Sequence, residues 1–301
     1  MGWHGRMTAS RAAAPRPAVV AAVGTVAAAG LVFLGARAML VRQAAVARRR
    51  IGKPFDGDDA VDSDRVWGAR FEGRPLELVV LGDSIAAGLG AERRKDTLGA
   101  RLAKGLARAQ RRRVRLRTAA VVGAESSMLA AQIDGLPDDY RPDVAVIVVG
   151  GNDVTHRVSV STSVGHLDEA VGRLQDLGAA VVVGTCPDLG SLRPVPQPLR
   201  ALGARLSRQL ADAQAEVVAR RGARAVSLRR AVGPFFVTQP EEMFSLDRFH
   251  PSALGYRRTA EALLPAVRAA LAEAKAAAKA DARSAKADVK AAAQPTLAPS
   301  A

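Results

Sequence analysis

Leu78-Val79-Val80-Leu81-Gly82-Asp83-Ser84-Ile85-Ala86-Ala87-Gly88-Leu89-Gly90 is the stretch that decides the fold. Four consecutive apolar residues read as a strand buried on both faces, as in a parallel sheet covered by helices. Gly82 breaks the strand, and Ser84 follows between an aspartate and an apolar residue. A strand ending in a tight glycine turn holds a side chain at the carboxyl edge of the sheet, where open α/β sheets place their ligands. Ser84 is therefore the candidate nucleophile, and the rest of the chain is read for groups able to activate it.

Working outward, apolar runs at 76–81, 114–120, 144–149, 180–185 and 223–228 predict five strands. Helix-like stretches at 97–110, 126–135, 164–177 and 199–220 lie between them, with a last helix near 253–272. Such alternation implies a parallel sheet with helices on both faces. A chain of 301 residues has ample length for that core.

The flanks have a different character. Residues 1–17 form a basic tail, and residues 18–36 carry no charge. As a helix the latter span roughly 28 Å, close to the thickness of a bilayer core. They read as a retained single-span anchor. The alternatives are a cleaved signal peptide, since Ala36-Arg37-Ala38 loosely fits a small-x-small site, and a helix outside any membrane. Residues 37–73, rich in aspartate towards their end, read as a linker to a domain at 74–271. Residues 272–301, rich in alanine and lysine, read as a helical spacer or a solvated, partly disordered tail.

The net charge of +15 is unevenly placed. Residues 1–53 hold nine Lys/Arg and no acid, residues 54–267 hold 29 against 26, and residues 268–301 hold six against three. A near-neutral domain flanked by cations suits a membrane surface and gives no reason to expect a nucleic-acid partner. The single cysteine, Cys186, excludes an intrachain disulfide and reads as a small buried hydrophobe. No Cys/His cluster has zinc spacing.

A serine hydroxyl needs a base at neutral pH, and the base needs a partner to hold its tautomer. His4 precedes the apolar segment, His156 falls in a loop after the third strand, and His166 lies on a surface helix. His250 alone has a carboxylate three residues earlier, in Asp247-Arg248-Phe249-His250-Pro251. One tight turn can set Asp247 on ring Nδ1 and leave Nε2 facing Ser84, with Pro251 opening the final helix. Acyl transfer also needs donors aimed at the developing oxyanion. Gly123 and Asn152, each at the end of a strand, can supply them, or can serve as a turn glycine and a helix cap.

Gly82-Asp83-Ser84-Ile85, Gly123, Gly150-Gly151-Asn152-Asp153 and Asp247-Arg248-Phe249-His250 resemble the four blocks of the SGNH (GDSL) hydrolase family, in order and spacing, over about residues 75–271. Ile85 stands for the usual leucine. The asparagine often found before the second-block glycine is absent, and Glu125 follows closely. The resemblance implies a three-layer α/β/α sandwich with a five-stranded, flavodoxin-like parallel sheet. It implies Ser84 as nucleophile, His250 as base, Asp247 as its orienting carboxylate, and an oxyanion hole from Ser84, Gly123 and Asn152. The implied activity is carboxylic ester hydrolysis through an acyl-serine, without metal or organic cofactor.

The substrate expected from this resemblance is a small-molecule, lipid or glycan ester. The alternatives are a carbohydrate O-deacetylase and a catalytically silent, membrane-anchored scaffold. Loops at 154–163, 187–198 and 233–244 would set specificity, with Phe235, Phe236, Met243 and Phe244 either lining an acyl pocket or filling the core. Residues 18–36 imply a cell-membrane location. Three Lys/Arg before that segment and six after it favour a cytoplasmic domain, whereas bacterial hydrolases of this kind are commonly exported, so both sides stay open.

Overall fold

In a computed structural model, which describes residues 17–51 and 60–292, all five apolar runs become parallel strands of one sheet. The helix α1 (Pro17–Ile51) comes first, followed by a short strand β1 (Val66–Trp67) and the central strand β2 (Leu76–Gly82). The turn helix α2 (Ser84–Ala87) and α3 (Leu98–Gln110) lead to β3 (Val114–Thr118). Next come α4 (Leu129–Asp134), β4 (Val144–Val148), α5 (Gly151–His156), α6 (Val160–Asp176) and β5 (Ala180–Gly184). The helix α7 (Leu199–Arg220) and β6 (Arg224–Val226) complete the sheet. Short helices α8 (Leu228–Ala231), α9 (Gly233–Thr238) and α10 (Pro240–Met243) precede the long α11 (Ala253–Ala292).

The strand order is β1-β3-β2-β4-β5-β6, and β1 alone runs antiparallel to its neighbour. Alternation along β2 sorts the core into two layers. Leu78 and Val80 pack on one face against Leu98, Leu102 and Leu106 of α3 and Tyr256, Leu263 and Val267 of α11. Val79 and Leu81 pack on the other against α4, α6 and α7 through Leu129, Leu167, Leu174 and Val217. Both faces of the sheet are covered, which is why its strands are continuous apolar runs. Each fully buried leucine contributes about 1.5–3 kcal/mol relative to exposure.

Four expectations need correction. Residues 60–73 are part of the domain and do not form a linker: Ser63 is buried, the indole of Trp67 donates to its carbonyl, and β1 adds a sixth strand. The helix α1 does not end with the apolar segment but runs on through residues 37–51. The helix α6 starts four residues early, because the Ser159 hydroxyl accepts from the Thr162 amide and caps it. Pro251 does not open the last helix. It pairs with Phe244 in an isolated bridge, and the Ser252 hydroxyl caps α11 through the amides of Leu254 and Gly255. The basic tail up to residue 16, residues 52–59 and residues 293–301 lie outside the described residues.

Candidate active site

The nucleophile turn is built by close approach of two strand ends. Gly82 has φ of 128°, and a Cβ there would lie 1.8 Å from the Val148 carbonyl oxygen at the end of β4. Only glycine fits such a position. The amide of Gln132, on α4, accepts from Gly82 N–H and donates to Gly82 C=O, both at 2.8 Å, replacing a strand partner. Asp83 then caps α2 by accepting from Ile85 N–H at 3.0 Å, which makes Ser84 the first residue of that helix. The amide of Gln214, on α7, ties β4 to β5 by accepting from Cys186 N–H (2.7 Å) and donating to Val149 C=O (3.1 Å).

Asp247 is organised by its own loop. Its Oδ1 accepts from Ser245 Oγ (2.7 Å), Phe249 N–H (2.9 Å) and His250 N–H (2.9 Å), leaving Oδ2 for His250 Nδ1 at 2.5 Å. Arg248 takes a left-handed φ of 58° to close this turn. His250 Nε2 lies 3.0 Å from Ser84 Oγ, across 166 residues of sequence. The ring of Phe249 meets the imidazole edge-on, with centroids 4.8 Å apart. Burial pushes the Asp247 carboxyl up, but hydrogen bonds from His250, Ser245 and Phe249 outweigh it and hold the group down at about 2. Asp83 goes the opposite way. Burial raises it to about 6, against the partial relief of the Ile85 amide, His250 and the Gly151 amide.

Asn152 stands on the first turn of α5 and lines the same cavity as Ser84 and His250, while its Nδ2 donates to Ala124 C=O at 3.0 Å. Gly123 sits one residue away in that turn, with φ of 82° and open space where a Cβ would be. It is not among the cavity-lining residues. The structure thus brings Ser84, His250, Asp247 and Asn152 together and leaves Gly123 on the adjoining turn. His156 is the last residue of α5, not a loop residue, and its Nδ1 pairs with Glu125 at 2.6 Å. Among the described residues no cluster of three or more His, Cys, Asp or Glu could hold a metal.

The cavity around Ser84 measures about 750 Å³ counting its open mouth. Leu189 and Leu192 of the 187–198 loop face Val232, Phe236 and Phe244 across it. Met243 lies wholly in the core instead, and Phe235 packs against that core with Arg258 over its ring. Sequence reasoning missed Gln132, Gln214 and Ser245. A lone glutamine within a helix carries no local signal, whereas Asp83 just before a helical start does.

Residues 80–258 match the GDSL-like Lipase/Acylhydrolase family. A GDSL-like esterase of Mycobacterium tuberculosis is 40% identical over 262 residues, covering 84% of this chain and 83% of its own. Among solved structures, an alpha/beta hydrolase enzyme from the metagenome of Lake Arreo, Spain, is 25% identical with a TM-score of 0.53, over 64% of this chain and 94% of its own. An acetylxylan esterase from Geobacillus stearothermophilus shares the fold at 19% identity and a TM-score of 0.52, over 65% of this chain and 95% of its own. Sequence and fold agree on one placement: the chain belongs to the GDSL-like lipase/acylhydrolase family, a family of carboxylic ester hydrolases.

Proposed function

We propose that the protein hydrolyses the ester bonds of acyl lipids through a covalent acyl-serine at Ser84. The observation that carries this reading is the hydrogen-bonded row from Asp247 Oδ2 through His250 to Ser84 Oγ, at 2.5 and 3.0 Å. Ser84 Oγ attacks the ester carbonyl while His250 Nε2 takes its proton, and Asp247 holds the imidazole in the tautomer this requires. The carbonyl oxygen becomes an oxyanion, received by Ser84 N–H, which has no partner within its helix, and by Asn152 Nδ2 and Gly123 N–H. Collapse expels the alkoxide, which takes the proton from His250. Water, deprotonated by His250, then attacks the acyl-serine and releases the carboxylic acid and Ser84 Oγ.

The leucines, valine and phenylalanines of the cavity support an acyl chain longer than acetyl, and the apolar segment 18–36 supports attachment to a cell membrane. The test is Ser84→Ala beside the natural chain on p-nitrophenyl esters of increasing acyl length, with a fluorophosphonate probe. Turnover is expected to fall by about 10³-fold or more with the melting temperature unchanged. Labelling is expected to require Ser84, and the preferred acyl group to be longer than acetyl. Retained turnover in Ser84→Ala sinks the nucleophile assignment, and a folded natural chain that neither labels nor turns over is a silent scaffold. A preference for acetyl moves the reading to a sugar O-deacetylase.

A further inference from the structure

The helix α1 does more than lead out of an apolar segment. Near its carboxyl end Gln43 reaches the domain: Nε2 donates to Gln197 C=O at 2.6 Å, and Oε1 accepts from Leu199 N–H at 3.0 Å. Leu199 opens α7, whose preceding Pro198 gives no side-chain cap, so Gln43 satisfies an amide that α7 leaves unpaired. Ala47, one turn on, is only 6% exposed. Arg50 then enters a cleft with Arg193, Pro194, Phe244, Ser245 and Arg248. Three turns earlier the helix is bare: Leu31, Val32, Phe33 and Leu34 are 60–73% exposed. Four such neighbouring side chains need an apolar surrounding.

The place of this contact matters. The loop that receives Gln43 also walls the cavity beside Ser84, through Pro187, Leu189 and Leu192. Phe244 separates that cavity from the cleft that Arg50 enters. Seven residues of helix, about 10 Å, separate Ala36 from Gln43, so the docking point lies at headgroup depth when residues 18–36 span a bilayer. The same rim exposes Leu202, Val237 and Leu246. Three guanidinium groups, of Arg50, Arg193 and Arg248, line the cleft there against one carboxylate, Glu241. Cations at that depth favour anionic lipid.

We infer that α1 docks through Gln43 and Ala47 on the outer wall of the acyl cavity and so holds its mouth against an anionic phospholipid bilayer, whose own lipids supply the ester. The inference rests on the ester-hydrolase reading for its substrate, but the docking is read without turnover.

The full chain is placed in nanodiscs of phosphatidylglycerol carrying nitroxide lipids, with bimane on Leu202→Cys, Leu246→Cys or, at the opposite edge of the sheet, Asp139→Cys. Cys186 is buried and stays unlabelled. Quenching is expected to be about twofold or more at 202 and 246 and slight at 139. Equal quenching at all three, stronger quenching at 139, or failure of the chain to enter discs overturns the inference.

A second arm compares rates in the same discs. In the double variant Gln43→Ala, Ala47→Arg, hydrolysis of a fluorogenic phosphatidylglycerol should fall about fivefold or more, while turnover of soluble p-nitrophenyl butyrate stays within about twofold. Equal loss on both substrates, or loss on neither, refutes the coupling. An unchanged lipid rate in phosphatidylcholine discs refutes the anionic preference. If the natural chain cleaves neither substrate, the hydrolase reading fails and the lipid-substrate inference falls with it, while quenching still decides the docking.

Discussion

Asp83 and Asp247 lie close to the same imidazole, and their environments drive them apart. Asp247 is held at about 2 in the fold, below its ordinary value, so it adds stability above pH ~4 that is lost as pH falls towards ~2. Its replacement by Asn keeps the shape but removes the acceptor that fixes Nδ1–H. Asp247→Asn is expected to lower kcat on a p-nitrophenyl ester by about 10³–10⁴-fold, with the melting temperature as a control for folding. Asp83, raised to about 6, binds its proton more tightly when folded, so ionising it destabilises the domain as pH rises from ~4 to ~6. Asp83→Asn removes that penalty. Relative to the natural chain, its stability in urea should be about 2–3 kcal/mol more favourable at pH ~8 than at pH ~4. A difference independent of pH would show that the burial cost has been misassigned. At this scale the sequence told a good deal, because Ser84, His250, Asp247 and Asn152 stand in short distinctive blocks. Ser245 escaped, since a serine two residues before an aspartate is unremarkable until the loop folds back on itself.

At the scale of elements, the carboxyl edge of the sheet is held by two side-chain amides. Strand β3 stops at Thr118, opposite Val80, and Gln132 pairs with both backbone groups of Gly82 beyond that point. Gln132→Ala leaves the buried Gly82 N–H unpaired, while the Gly82 carbonyl keeps the Val121 amide at 3.1 Å. The expected loss is about 1–3 kcal/mol in urea unfolding, with lower turnover, whereas a surface glutamine of α7 changed to alanine should cost ~0.5 kcal/mol or less. Parallel strands were legible because burial on both faces writes them as apolar runs. The strand β1 was not, since two residues at an edge, one of them exposed, give no periodicity to read. The full extent of α1 was hidden because hydropathy marks where a span ends, not where a helix does. Its continuation exposes arginines beside Met39 and Val41 and is stabilised by a contact with a loop some 150 residues away.

For the molecule as a whole, charge and architecture divide the work. The domain is near neutral, and the cations gather on α1 and the tail. Removing residues 1–51 should move the protein from the membrane pellet to the supernatant on ultracentrifugation. Turnover of a soluble ester should stay within about threefold, and stability should fall by about 1 kcal/mol for the lost Gln43 partner of Leu199. A truncated chain that still pellets with membranes would contradict the anchor. The separation of Ser84 from His250 by 166 residues has a consequence in time. Translation proceeds from the amino end, and every strand of the sheet has been made by Val226, before the histidine exists. A chain released or cut before residue 250 has the nucleophile turn in its sequence but no base to activate it. Synthesis interrupted before that point therefore yields no active fragment, and the appearance of activity certifies that translation has passed His250.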